Sequence, residues 1–451
     1  MKYITKDKEF YLRLLQLTIP MTLASLIGFG GGLADTLMMG MLSEVHLSAV
    51  AQGNQLGFIF MLFSGGVSGA GSVMIAQYWG KGNVSAIHKI LTIMYRLLII
   101  GGILFTVIAL VFSKQIMMIF ATDPNVIREG AYFIRIVCFS FLISGISGGS
   151  IVALRCVGVV KIALYVSFIS LLVKVLLNWI LIFGNLGFPR MEIEGAAIAT
   201  LLTRIIEFVM VISYLLVFDK KIMYKVRYLF KNKLDMVRDY INYGGPIFLN
   251  DFTWGIGAAI LAIIIGRMGT EFTAANSIAM TLGNFTSLMA FTMAFAASTI
   301  IGNTVGSGNY EKAQVYGYTL TIISLIMGVL SSGLMIILKN PTLGLYNVSD
   351  LTMYYANQFI IIHSVNVFFQ CMAMMTLVGL LRSGGDTKFV FMIDVLFMFL
   401  LAIPLSFLGG VFWGWSAALV FFTLRFDEIL KVIFGLYRIK TGKYIKDVTR
   451  S

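Results

Sequence analysis

The chain has 451 residues, of which 59% are hydrophobic and 12% are charged, and its formal net charge is +13. A soluble domain carries roughly a quarter charged residues, so this composition excludes an ordinary soluble protein. The basic excess does not indicate nucleic-acid binding, because the lysines and arginines concentrate in loops and termini, where they set topology and meet anionic lipid headgroups.

Apolar segments follow one another along the whole chain. A hydrocarbon core of about 30 Å needs roughly 20 residues of α-helix to cross it. The sequence therefore predicts an all-α polytopic membrane protein with twelve transmembrane helices. The predicted spans are 14–39, 47–79, 90–112, 127–155, 160–183 and 195–218, followed by 244–267, 272–306, 314–338, 351–381, 387–408 and 413–436.

The distribution of lysine and arginine predicts the orientation of these spans. With the N-terminus inside, the inward loops and termini hold most of the 34 basic residues. We therefore expect both termini to be cytoplasmic in a multi-pass protein of the cell membrane. The outward loops hold about five basic residues, namely Lys114, Arg128, Arg190, Arg267 and Lys339.

The two halves of the chain resemble each other at an offset of about 226 residues. Pro20 aligns with Pro246, and the segment 77–83 aligns with 303–309. Six spans per half is an even number, so both halves have the same orientation and a pseudo-twofold axis along the membrane normal. The predicted domains are an N-lobe at 1–218, a basic cytoplasmic linker at 219–243, and a C-lobe at 244–451. The linker is expected to lie along the lipid headgroups. We expect the two six-helix lobes to surround a central cavity.

Asp35 is the clearest candidate for a functional residue inside a span. An ionisable group there costs roughly 2.5–3.5 kcal/mol on insertion scales, so its presence needs a reason. Because burial disfavours the charged form, such a carboxylate can take up a proton or a metal cation and later release it. Pro20 removes a backbone hydrogen bond, and Gly30 and Gly31 loosen the same helix, so we expect the helix to bend there. The structural alternative is a carboxylate that is simply paired with a nearby lysine.

The fifth predicted span supplies a partner for Asp35. Lys174 and Asn178 are one turn apart and share a helix face. Lys174 can neutralise Asp35 or compete with a coupling cation for it. Alternatively, its ammonium group extends to the headgroups or pairs elsewhere.

The second half carries a different set of charges. Asp251 lies beside Asn250, and the position equivalent to Asp35 is Leu261. Asp251 can bind a cationic substrate or a second proton, or it can stabilise the start of a helix. Four further ionisable residues inside the predicted spans are weaker candidates for a functional role, namely Asp394, Arg425, Asp427 and Glu428. Arg204 and Glu207 are spaced to pair with each other.

Enzyme and cofactor motifs do not occur in this sequence. The three cysteines and three histidines are dispersed, and there is no HExxH, GxSxG or Walker pattern. We therefore expect no catalytic activity, no metal centre and no cofactor.

The chain resembles the bacterial multidrug and toxin extrusion (MATE) transporters. The resemblance covers almost the whole chain and rests on the order and spacing of Pro20 with Asp35, the paired turns at 77–83 and 303–309, and the segments 181–184, 195–200 and 381–387. It implies a V-shaped pair of lobes, and a protein that exports small organic molecules, mainly cations and drugs, in exchange for protons or sodium. We expect a monomer surrounded by lipid.

The resemblance also implies roles for individual residues. The coupling cation is expected at Asp35, with Lys174, Asn178 and Thr200 around it. Some relatives have Asn and Asp where this chain has Lys174 and Asn178, and the added ammonium group favours protons over sodium. A second-lobe or substrate site is expected among Asp251, Asn250, Asn276 and Gln370, although Gln370 replaces an acid that some relatives carry.

The main alternative function is a flippase for a lipid-linked saccharide, from the same wider superfamily. Such a protein needs an arginine-lined cavity for phosphate. The embedded arginines of this chain are few and do not cluster in one span. They are Arg96, Arg135, Arg204 and Arg425.

Overall fold

The computed structural model describes residues 4–230, 235–346 and 348–449, so residues 231–234 of the predicted linker lie outside the described residues. Within these ranges the chain is helical almost throughout, and the β-structure is an isolated bridge between Gly385 and Ile445. Eleven helices of the described chain are long and apolar enough to cross a membrane. The predicted all-α membrane fold is confirmed.

The helices follow the predicted spans closely. Their bounds are α1 Lys8–Gly40, α2 Glu44–Gly80, α3 Val84–Phe120, α4 Pro124–Val137, α5 Phe139–Cys156, α6 Lys161–Phe183, α7 Glu192–Ser213, α8 Val237–Asp239, α9 Gly245–Arg267, α10 Thr270–Gly306, α11 Tyr310–Leu343, α12 Asp350–Ala373, α13 Thr387–Phe397, α14 Ile403–Phe407, α15 Ala417–Thr423 and α16 Asp427–Lys440. Short π-helical segments extend α7, α12 and α13, for example Met374–Arg382 after α12.

The difference between eleven and twelve spans comes from the last one. The predicted span 413–436 contains two helices, α15 and α16, separated by a turn at 424–426. The last apolar segment is thus interrupted beside Arg425 and Asp427. The fourth predicted span, 127–155, is also divided into two helices, α4 and α5, of which α5 is long enough to cross a membrane.

The described chain forms two compact units. Unit 1 contains the described residues of Met1–Thr18, Ala76–Asn83 and Ile241–Ser451, and unit 2 contains the described residues of Ile19–Ile75 and Val84–Tyr240. Helices α1 and α2 each contribute residues to both units. The described linker residues up to Tyr240 belong to unit 2, where the hydroxyl of Tyr224 lies 3.0 Å from that of Thr92 on α3, and residues 241–243 belong to unit 1.

In unit 1 the ends of α2 and α10 touch backbone to backbone. A Cβ atom added at Gly80 would overlap the carbonyl oxygen of Asn303, and one added at Gly306 would overlap that of Gln77. These four residues form two equivalent pairs of the sequence repeat, so the contact is reciprocal. Glycine permits such an approach because it has no Cβ.

The C-terminal segment 444–448 is buried in the same unit. Tyr444 is fully buried, and its hydroxyl donates to the carbonyl oxygen of Ala313 at 3.3 Å. The side chain of Gln77 donates to the carbonyl oxygens of Ser383 at 3.1 Å and Lys446 at 3.2 Å, and it accepts from the backbone N–H of Val448 at 2.9 Å. Two hydrogen bonds therefore join this segment to the end of α2, through Lys446 and Val448.

The reciprocal contact leads to a stability prediction. Gly80→Ala and Gly306→Ala should each destabilise the folded protein by about 1–3 kcal/mol, because the added methyl group forces two backbones apart. Thermal unfolding in detergent measures this. Gly333→Ala on α11 is the control, since a Cβ there meets nothing within 4 Å. Equal melting temperatures for all three variants would contradict the packing argument.

The N-terminal segment is tied to α11 by Asp7. Its carboxylate accepts from the Tyr316 hydroxyl at 2.6 Å and pairs with the Lys312 ammonium at 3.1 Å. The hydrogen bond from Tyr316, followed by the bond from Lys312, lowers the pKa of Asp7 from 3.8 to about 2. A lowered carboxyl pKa stabilises the folded state above the unfolded-state value, and that stability is lost as the pH falls toward the folded-state value.

A comparison of wild type with Asp7→Asn checks this pH dependence. The wild type should melt at the higher temperature above about pH 4, and the difference should shrink as the pH is lowered toward about 2. Tyr316→Phe should give a loss of the same sign, since it removes the largest cause of the shift. A difference that grows on acidification would be the opposite of the expected result.

Candidate functional site

A cavity of about 420 Å³ lies within unit 2, between α1, α6 and α7. Asp35 enters its wall from α1, Lys174 and Asn178 from α6, and Thr200 from α7. The four residues that the sequence analysis assigned to cation coupling therefore line one cavity.

Asp35 is held by two donors from a single turn of α6. The ammonium group of Lys174 forms an ion pair with one carboxylate oxygen, Oδ2. The amide Nδ2 of Asn178 donates to the other oxygen, Oδ1, at 2.8 Å. The spacing of i and i+4 places both donors on the same helix face. The side chains of Asp35 and Lys174 are 29% and 21% exposed, so the pair is accessible from the cavity.

Two polar atoms of the cavity wall are unused. Asn178 Oδ1 and Ser170 Oγ are buried and have no hydrogen-bond partner among the described residues. A buried polar atom without a partner costs about 1–3 kcal/mol. The cavity thus offers a free acceptor on the same amide group that holds Asp35.

A second ion pair lines the same cavity. Arg204 and Glu207 on α7 are joined at 2.7 Å, as their spacing predicted. The sequence analysis did not place them beside Asp35, and it missed Asn54 of α2, which also lines the cavity. The helical period would have linked Arg204 and Glu207 to Thr200, because residues four and seven positions along a helix share one face.

Helix α1 runs without a break from Lys8 to Gly40, across the predicted bending points. A Cβ at Gly30 would meet nothing within 4 Å, and one at Gly31 would make ordinary contact with Leu171 at 3.5 Å. Packing in this structure does not require glycine at either position. Bending at Pro20, Gly30 and Gly31 stays a prediction.

The residues predicted for a second-lobe site are not joined into one hydrogen-bonded group in the described chain. Asp251 makes two bonds with the guanidinium group of Arg382, at 3.1 and 3.2 Å. Its neighbour Asn250 donates instead to Asp394 at 2.6 Å. Asn276 and Gln370 are half-buried on α10 and α12.

The sequence model of the MatE family matches residues 20–180 and 246–408 of this chain. This chain belongs to the MATE transporter family. The two matched segments begin 226 residues apart, from 20 to 246, which is the offset at which the halves of the sequence resemble each other. The family resemblance deduced from the sequence is confirmed.

Several MATE relatives match over almost their whole length. Multidrug resistance protein MdtK of Yersinia pseudotuberculosis is 24% identical over 413 residues, which cover 91% of this chain and 89% of that protein. Probable multidrug resistance protein YoeA of Bacillus subtilis is 23% identical over 449 residues, covering 96% and 94%. A solved outward-facing multidrug resistance MATE family transporter has a TM-score of 0.85 at 17% identity, with 96% of each chain covered, and it shows the fold.

The glycines of α1 allow the bending hypothesis to be tested. A Gly30→Ala, Gly31→Ala double variant of this MATE transporter should fold normally, because both methyl groups have room, and it should transport several-fold more slowly. Alanine favours a straight helix over glycine by about 0.5–1 kcal/mol per residue. Transport rates in proteoliposomes measure the effect, with Gly333→Ala as the control. Transport at the wild-type rate in the double variant would show that α1 need not bend at these glycines.

Proposed function

We propose that this MATE transporter exports small organic cations in exchange for protons, and that Asp35 carries the coupling proton. The observation that supports this most directly is the carboxylate of Asp35, held by Lys174 and Asn178 in the wall of a cavity large enough for an organic molecule. The names of the relatives MdtK and YoeA, both multidrug resistance proteins, agree with drug export.

The charges of the cavity set the direction of coupling. Asp35 and Glu207 are balanced by Lys174 and Arg204, so the wall carries no net charge while Asp35 is ionised. When a proton neutralises Asp35, the same wall carries one positive charge. An organic cation therefore binds more tightly before protonation and is repelled afterwards. That order is the one an antiporter needs, whereas an anion would show the opposite linkage.

Lys174 supplies the repulsion. In the ionised state its ammonium group is neutralised by Asp35, and after protonation its charge faces the cavity. A coupling free energy between two binding events is typically about 1–3 kcal/mol, or roughly 5–150-fold in affinity. Exchange of one proton for one monovalent organic cation moves no net charge, so the pH difference drives it, and each pH unit is worth about 1.4 kcal/mol or about a tenfold substrate gradient.

Asn178 can serve both protonation states of Asp35. Its Nδ2 donates to the ionised carboxylate, and its unused Oδ1 can accept from the protonated carboxyl group after the amide turns over. Sodium fits this site less well, because both groups that contact Asp35 are donors. A sodium ion would have to displace the Lys174 ammonium, whereas a proton needs a single carboxylate oxygen.

The test is dye transport in proteoliposomes, with pH and sodium gradients imposed separately. Wild type should expel ethidium against its gradient when driven by pH alone. Asp35→Asn should lose proton-driven accumulation, because asparagine cannot take up the proton. Asp123→Asn is the control, since Asp123 caps α4 at the surface, where its carboxylate accepts from the Asn125 N–H at 2.8 Å.

The variant Lys174→Met should weaken the coupling between protons and dye while leaving dye binding intact. Without the ammonium group, the state with a protonated Asp35 lacks the positive charge that repels the dye, so dye release should slow. The gradient that the dye reaches should fall at the same time. Strict sodium dependence of the wild type, or wild-type proton coupling in Asp35→Asn, would overturn the proposed function.

A further inference from the structure

Unit 1 contains a second partly buried carboxylate, Asp394, whose side chain is 18% exposed and has the same set of partners as Asp35. Asp394 on α13 accepts from Asn250 Nδ2 of α9 at 2.6 Å through Oδ2. Its other oxygen, Oδ1, pairs with the ammonium group of Lys431 on α16 at 2.7 Å. Each of the two sites thus consists of an aspartate, a lysine and an asparagine, with one donor on each carboxylate oxygen.

The second set is not a copy of the first by descent. The positions 226 residues after Asp35 and Lys174 are Leu261 and Leu400, and neither is charged. The resemblance between the two sites is therefore chemical, and it is assembled from different helices. Duplication of the sequence therefore does not explain why the two sites have the same composition.

The cluster around Lys431 holds more acids than bases. Lys431 also pairs with Asp427 at 2.7 Å, and the two side chains are only 3% and 6% exposed. Glu428 follows Asp427 on α16, and it interacts electrostatically with Lys431 and Arg425. Three carboxylates therefore face two cations. An unbalanced buried charge is costly, and one proton shared among the carboxylates removes it.

Among the residues that the structure describes, the groups recorded around the cluster on α9 and α12 do not supply a further positive charge. Arg382, at the end of the segment Met374–Arg382, is already paired with an acid of α9. Its two terminal guanidinium nitrogens donate to the carboxylate of Asp251. Helix α12 has two titratable groups that interact electrostatically with the cluster. His363 interacts with Arg425, and Cys371 interacts with Glu428. Neither is a second lysine or arginine.

Helix α12, which packs against α15 and α16, carries buried polar atoms that need a partner. Both amide atoms of Asn366 and the Nδ1 of His363 have no hydrogen-bond partner among the described residues, and each side chain is 2% exposed. Arg425 acts electrostatically on both His363 and Glu428, so this polar face of α12 adjoins the acid cluster. Groups that can donate and accept hydrogen bonds beside a protonatable cluster suit the passage of a proton.

We propose that Asp394, with Asp427 and Glu428 around Lys431, is a second protonation site that carries an additional proton in each transport cycle. On protonation, Asp394 becomes a donor, Lys431 stays paired with Asp427, and the amide oxygen of Asn250 can accept the new O–H. The inference rests on the proposed function, because it adds a proton to an exchange that Asp35 already couples.

The proton-to-substrate ratio tests this directly. In proteoliposomes, the ethidium gradient that stops net flux is measured at a series of imposed pH gradients, with the membrane potential clamped. Wild type should exchange two protons for each dye, Asp394→Asn one, and Asp394→Glu two again. Asp386→Asn is the matched control, because Asp386 is a buried acid of unit 1 that pairs with Arg438 and Lys446 away from the cluster. It should keep the ratio of two even if its stability falls.

An Asp394→Asn variant that moves dye slowly with an unchanged ratio would overturn the proposal, since a merely structural ion pair gives that result. A second measurement avoids the variant altogether. Proton release on ethidium binding, in weakly buffered detergent solution, should be two per dye for wild type and one for Asp35→Asn. No release from Asp35→Asn would also overturn the second site, with Asp35 coupling intact. Absence of release from the wild type would count against the proposed function itself.

Discussion

The hydrocarbon core offers no water to hydrogen-bond with polar groups, and this constraint accounts for most of what the structure shows. Backbone groups are satisfied within helices, so the described chain is helical almost from end to end. Charged side chains need partners from other helices for the same reason. Asp35 has Lys174, Asp251 has Arg382, and Asp394 has Lys431. Each ion pair thus joins elements that the sequence separates.

Local sequence rules predicted the Asp35 site because its key geometry is local. Lys174 and Asn178 share a face at the helical spacing, and the family resemblance supplied the link to α1. Asn54, Arg204 and Glu207 were not assigned to the site, since the cavity wall depends on how α2 and α7 pack. The spacing of α7 contained the signal for two of these three residues, whereas Asn54 had none.

The second cluster was harder to predict for a physical reason. Asn250, Asp394 and Lys431 come from three helices spread over almost 200 residues, and the repeat does not duplicate them. Pairing over such separations is decided by packing, which no helical period encodes. In contrast, the duplicated segments 77–83 and 303–309 were visible in the sequence, and in the structure they meet through the reciprocal contact of Gly80 and Gly306.

The hydrogen bonds of Gln77 bear on how the protein is made. This residue ends one of the first helices to be synthesised, but its partners are Ser383, Lys446 and Val448. More than 300 residues must therefore leave the ribosome before the side chain of Gln77 reaches its final environment, and contacts of such long sequence separation form slowly. During that interval the end of α2 lacks these bonds, so an unfinished chain leaves the amide of Gln77 without the partners that it has in the folded protein.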